Sequence, residues 1–186
     1  MEQTSVQRLA RVLRVLVMII FACNVIALYF VPGLALFRGE IGSLQEMTPF
    51  QVVSLFNYCW LPTMWAFAEA PASSLALAGF LLVCGICTAN ILWQGKRVLD
   101  TILIAEPFTL DNASNMKRAA VCCFVISGAA LARLVWGLVY YASVRPLLTY
   151  NALFVPVFLV GGLLFLVMSA LFRQAAELKA ENDLTI

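Results

Sequence analysis

Charged residues are missing from three long stretches of the chain, 15–37, 70–95 and 146–172, and a fourth, 119–144, holds only Arg133. About 20 apolar residues in a helix reach about 30 Å, the thickness of a bilayer's hydrocarbon core. The pattern predicts four membrane-spanning helices at about 13–35, 72–94, 119–141 and 150–172.

A fifth uncharged stretch, 47–68, reads differently. Gln51, Ser54 and Tyr58 recur at i, i+3 and i+7, while Val52, Val53, Leu55, Phe56, Cys59 and Trp60 fill the opposite face. Pro49 and Pro62 interrupt it. Such an amphipathic segment lies in the headgroup zone, with Trp60 and Trp65 as anchors, and is expected to be interfacial or re-entrant on the outer face.

The charges between the spans are sorted. Arg8, Arg11 and Arg14 precede the first span, Lys96, Arg97, Lys117 and Arg118 separate the second from the third, and Arg173 and Lys179 follow the fourth. Arg38 and Arg145 are alone on the other side. Excess Lys and Arg marks the cytoplasmic face, so segments 1–12, 95–118 and 173–186, and with them both termini, are expected in the cytoplasm. A crossing at 47–68 would destroy this bias. The first apolar run is too long for a cleaved signal peptide and lacks a small-x-small site, which predicts an uncleaved anchor.

Composition narrows the class further. The 186 residues are 63% hydrophobic and 12% charged, against about 25% charged in soluble domains, so a single membrane domain of one compact bundle is expected. A net charge of +2 without a basic aromatic stripe argues against direct nucleic-acid binding. The chain has no histidine, which removes bis-histidine haem ligation, histidine metal sites and histidine proton relays.

Two cytoplasmic segments carry the distinctive polar residues. Val98, Leu99, Ile102 and Leu103 continue the second span as an amphipathic helix as far as Ala105, and Pro107 stops it. Thr109 is the expected N-cap of the next helix, with Asp111 near its positive end. The segment is either a tight helical hairpin with ordinary capping or a docking surface. The fourth span also runs on, with Arg173 and Glu177 at i, i+4. Its acidic ending, Glu177, Glu181 and Asp183, opposes the helix dipole, so helix stability does not explain it. The apolar triplet Leu184, Thr185 and Ile186 is expected to dock on a partner or to fold back on 98–108.

These segments also carry a resemblance. Gly95-Lys96-Arg97 with Pro107-Phe108-Thr109-Leu110-Asp111-Asn112, and the ending Ala176-Glu177-Leu178-Lys179-Ala180-Glu181-Asn182-Asp183-Leu184-Thr185-Ile186, resemble the motifs of a bacterial membrane family catalogued as domain of unknown function 2975. The resemblance covers about 70–186. It implies a small four-helix inner-membrane protein with no established catalytic residue. Members are often encoded beside a small helix-turn-helix regulator, which implies signalling or tethering of that regulator. Pro107, Phe108, Thr109, Asp111, Asn112, Glu181, Asn182, Leu184, Thr185 and Ile186 are then the candidate partner contacts.

Within the spans, Cys84 and Cys87 form a C-x-x-C, the spacing of thiol oxidoreductases. Apolar surroundings raise a thiol pKa, and Cys59 is alone among the six cysteines on the outer side, so core packing is the better reading. Arg133 is about 12 Å from the outer end of its helix and can snorkel outward, with Glu69 as first partner and Glu46 as second. Asn24 and Asn90 are expected to bond between helices. Gly85 with Ala89, Gly128 with Ala132, and Gly161-Gly162 predict close helix contact, a homodimer contact included.

The expected fold is all-α, an integral membrane four-helix bundle with an outer interfacial or re-entrant helix and cytoplasmic helical extensions. The expected function is a non-enzymatic sensor or tether for a small cytoplasmic transcriptional regulator, with no cofactor, metal or catalytic residue. Two alternatives stand beside it. One is a small-molecule or lipid transporter or binding protein using Arg133; the other is a membrane thiol oxidoreductase using Cys84 and Cys87.

Overall fold

A computed structural model describes residues 5–36, 72–142 and 150–183. Among these residues there are four helices and no strand: α1 (Ser5–Leu36), α2 (Ala72–Leu103), α3 (Leu110–Tyr141) and α4 (Tyr150–Asp183). All four are long and apolar enough to cross a membrane, so the chain is a multi-pass, all-α membrane bundle. Helix is what this solvent demands, because lipid offers no partner for a backbone N–H or C=O. The expected outer segment 47–68 lies outside the described residues.

The helices pack in chain order, α1 on α2, α2 on α3, and α3 on α4. α3 is the centre. Its buried positions Asn112, Ala113, Asn115, Ala119, Ala120, Cys123, Ile126, Ser127 and Ala130 recur at helical spacing. Most are small, and small side chains let neighbouring backbones approach where no hydrophobic force drives helices together. Side-chain bonds fix the register. Ser127 Oγ donates to the Val155 carbonyl at 2.9 Å, and Ser169 Oγ to the Ala113 carbonyl at 2.7 Å, holding α3 and α4 antiparallel. Phe21 meets Trp93 at 5.8 Å between α1 and α2.

Each helix has 32 to 34 residues, about 50 Å at 1.5 Å per residue, and so exceeds a 30 Å core by several turns. Aromatic residues mark where lipid ends. Lys96 lies 4.9 Å over the Trp93 ring near one end, and Trp136 stacks on Tyr140 at 6.3 Å near the other. From Lys117 to Trp136 along α3 is about 28 Å, one hydrocarbon thickness between two aromatic belts. Between the belts the outward faces are apolar, with Ile19, Ile20, Val125, Leu163 and Val167 exposed to the position of lipid. Beyond the Lys96–Lys117 belt all four helices continue. That shared end carries Arg8, Arg11, Arg14, Lys96, Arg97, Lys117, Arg118, Arg173 and Lys179, and is called here the basic end.

Candidate functional site

The basic end is built on the α2–α3 hairpin. α2 stops at Leu103, two residues before the expected Ala105, because a capping turn captures its last carbonyls. Ala105 N–H donates to the Ile102 carbonyl at 3.2 Å and Glu106 N–H to the Thr101 carbonyl at 3.0 Å. Ala105 takes the left-handed φ of 62° that this turn requires, a position that favours glycine. Pro107 follows. Thr109 caps α3 as expected, its hydroxyl accepting from Asn112 N–H at 3.2 Å, with Asp111 in the first turn.

Asn112 joins these parts. Its Nδ2 donates to Thr101 Oγ1 at 2.6 Å and to the Pro107 carbonyl at 2.7 Å, while Thr101 donates to the Val98 carbonyl at 2.7 Å. Asn112 is 0% exposed, so it holds the hairpin and offers no surface to a partner. Thr109 and Pro107 are half-buried in the same network. The motif therefore divides. Asn112, Thr109 and Pro107 shape the turn, while Phe108, Leu110 and Asp111 face outward, together with Ile104 and Glu106.

α4 passes the hairpin tip, where Phe172 meets Phe108 at 5.9 Å. The helix then continues for ten residues past Arg173, about 15 Å. Arg173 Nε pairs with Glu177 at 2.8 Å, which pushes the guanidinium pKa up from its ordinary value. Residues 177–183 are all exposed, including Glu177, Glu181, Asn182 and Asp183, and Leu178 is 66% exposed. Leu184, Thr185 and Ile186 lie outside the described residues.

On the other flank Asp100 carries an ion pair to Arg14 of α1 at 2.8 Å and to Lys96 at 3.6 Å. Asp100, Thr101 and Ser169 were not among the sequence candidates. Asp100 was discernible as the acid among basic residues; the roles of Thr101 and Ser169 depend on contacts between helices.

In the membrane interior, Arg133 is one turn inside the Trp136 belt, its guanidinium 4.8 Å over the Phe80 ring. Glu69 and Glu46 lie outside the described residues. The asparagines do not bridge helices as expected. Asn90 Oδ1 accepts from Gln94 Nε2 on its own helix at 3.3 Å, because i, i+4 spacing brings the two amides together. Asn24 Oδ1 is buried with no hydrogen-bond partner. A cavity of about 560 Å³ opens between α1 and α2, reaching from Arg133 to Asn24. Cys84 is on its wall, and Cys87 and Cys122 lie near each other across the α2–α3 contact. Cys23, Cys84, Cys87, Cys122 and Cys123 are all free thiols. Among the described residues no group of three or more Cys, Asp or Glu side chains is placed to hold a metal.

The glycines separate into two kinds. A Cβ on Gly85 would meet Leu28 at 2.5 Å and one on Gly162 would meet Phe124 at 2.8 Å, so both are close-contact positions. Gly128 and Gly161 have nothing within 4 Å, because they face away from the neighbouring helices.

The family model described as "Protein of unknown function (DUF2975)" matches residues 54–186, which include α2, α3, α4 and both motifs of the basic end. No curated protein and no solved structure matches the chain. The match spans well over half of the sequence, and the chain belongs to the DUF2975 family.

Proposed function

We propose that this protein is a non-enzymatic sensor or tether of the bacterial inner membrane, with both termini in the cytoplasm, which holds a soluble partner at its basic end. The observation that carries this reading is the exposed extension of α4 to Asp183. Residues 177–183 are exposed past the hairpin, Leu178 among them at 66%. An exposed helical segment gains little from its own propensity, so a surface that a partner completes explains its presence better than bundle stability does.

The chemistry of this end favours a basic partner with an apolar patch. Ile104, Phe108 and Leu110 are exposed at the hairpin tip beside Glu106 and Asp111, and Glu177, Glu181 and Asp183 are exposed on α4 beyond it. A small helix-turn-helix regulator has that character, being basic for its phosphate contacts. Holding it at the membrane would keep it from DNA. A rigid hairpin under the surface suits such a role, since Asn112 fixes the turn that presents Phe108 and Leu110.

The test is crosslinked capture from native membranes, comparing the full chain with one ending at Asp183 and with Leu178→Lys. One DNA-binding protein captured by the full chain, and lost from both variants while the bundle remains intact, is the expected result. Equal capture by all three, or no soluble protein with any, would count against the tether.

A further inference from the structure

The belt cations Lys96, Arg97, Lys117 and Arg118 differ in what surrounds them. Lys96 is half-buried, pairs with Asp100 at 3.6 Å and covers the Trp93 ring. Arg97 and Arg118 are exposed, and among the described residues neither pairs with an acid. The α2–α3 contacts fix their positions. Thr101 meets Asn112 and Phe80 meets Arg133, so Arg97 is level with residue 116 of α3, about 3 Å from the level of Arg118. At 3.6 residues per turn, Arg97 lies about 70° round α2 from the direction of α3, and Arg118 about 90° round α3 from the direction of α2. Both turn to the same side. Ala113 and Ser127, which meet α4, turn to the opposite side of α3, so the groove between the arginines opens to lipid.

The groove continues into the membrane. Cys122 and Ala129 are half-buried along its floor, and Ile86 and Val125 are exposed at its sides. Asn90 is exposed on the same stripe of α2 as Arg97, about 10 Å deeper. Its Oδ1 accepts from Gln94, while its Nδ2 donors have no acceptor among the described residues. An amide facing hydrocarbon costs free energy until an acceptor reaches it. An acyl tail supplies none, whereas an ester carbonyl does.

We propose that this groove binds one anionic diacyl phospholipid from the leaflet at the basic end, its phosphate clamped between Arg97 and Arg118 and an ester carbonyl accepting from Asn90 Nδ2. Planar guanidinium groups match phosphate oxygens with paired N–H bonds, and basic pockets between membrane helices hold anionic headgroups. Two fixed positive charges at one level repel a choline headgroup and favour a lipid of net negative charge. The carbonyls hang one step below the phosphate, on the side of Asn90, and the tails follow Ile86 and Val125. The site is separate from the docking surface at the hairpin tip and stands or falls without it.

The test is native mass spectrometry of the full chain in detergent, titrated with phosphatidylglycerol, phosphatidylcholine and a diether phosphatidylglycerol. One phosphatidylglycerol is expected to stay bound where phosphatidylcholine does not. Arg97→Gln and Arg118→Gln should each weaken it about fivefold, and together about 25-fold, the loss for one and two charges at a headgroup. Lys117→Gln, which removes a charge at the same level from the face of α3 turned away from α2, should leave binding unchanged. The diester lipid should bind several-fold tighter than the diether, which lacks carbonyls, and Asn90→Leu should erase that difference. Glycerol phosphate should not compete, because the tails hold the lipid in the groove. Equal losses in all three charge variants or equal retention of phosphatidylcholine would overturn the proposal by reducing the contact to diffuse attraction. Equal binding of the diether lipid, or displacement by glycerol phosphate, would overturn it too.

Discussion

The side chains of Asn112 and Thr101, eleven residues apart in the chain, meet at 2.6 Å and tie the end of α2 to the start of α3. Asn112 also holds the Pro107 carbonyl at 2.7 Å, so one buried amide closes the whole turn. Asn112→Ala removes two donors and strands two acceptors, at a cost of about 2–4 kcal/mol. Asn112→Asp should be worse, because it aims a carboxylate at a carbonyl in a buried site. Unfolding in SDS-titrated mixed micelles measures both. The same variants should accelerate amide exchange at 101–112 while leaving the far end of α3 unchanged.

Ala105 is in the left-handed region at φ 62° while serving as the capping residue of α2. Glycine meets that conformation without the steric penalty of a Cβ. Ala105→Gly should therefore stabilise the bundle by about 1 kcal/mol, in the same unfolding assay. A loss of stability would mean that the turn is not the one described.

Gly162 admits the Phe124 ring against the α4 backbone, with a would-be Cβ only 2.8 Å from it. Gly162→Val should push α3 from α4 and cost about 1–3 kcal/mol. Gly161→Val next to it meets nothing and should cost less than about 1 kcal/mol. The contrast between adjacent positions is the measurement, since both changes alter helix propensity alike.

Much of the fold was legible in the sequence because lipid restricts the choice to helices, and absence of charge over 20 residues is an unambiguous signal. Thr109 was legible too, since an N-cap is a local event recorded at one position and its neighbours. What escaped was set by contacts between helices. Asn112 read as a surface residue of a polar motif, yet it is buried, because Thr101 and Pro107 converge on it only in the folded hairpin. Gly128 and Gly162 look alike in sequence, and only the rotation of each helix decides which faces a neighbour. The cavity was not legible as a shape, although Arg133 and Asn24, which form its two ends, were both singled out as polar residues inside spans.

In the proposed tether, the exposed hairpin tip and the end of α4 together receive one soluble partner. A photo-crosslinking amino acid placed at Leu110, at Leu178 and, as a lipid-facing control, at Leu163 tests it in intact cells. The expected result is the same soluble basic protein attached at Leu110 and Leu178, an attachment weakened by Asp111→Lys, and only lipid at Leu163. Lipid alone at all three positions, or unrelated proteins at Leu110 and Leu178, would contradict it.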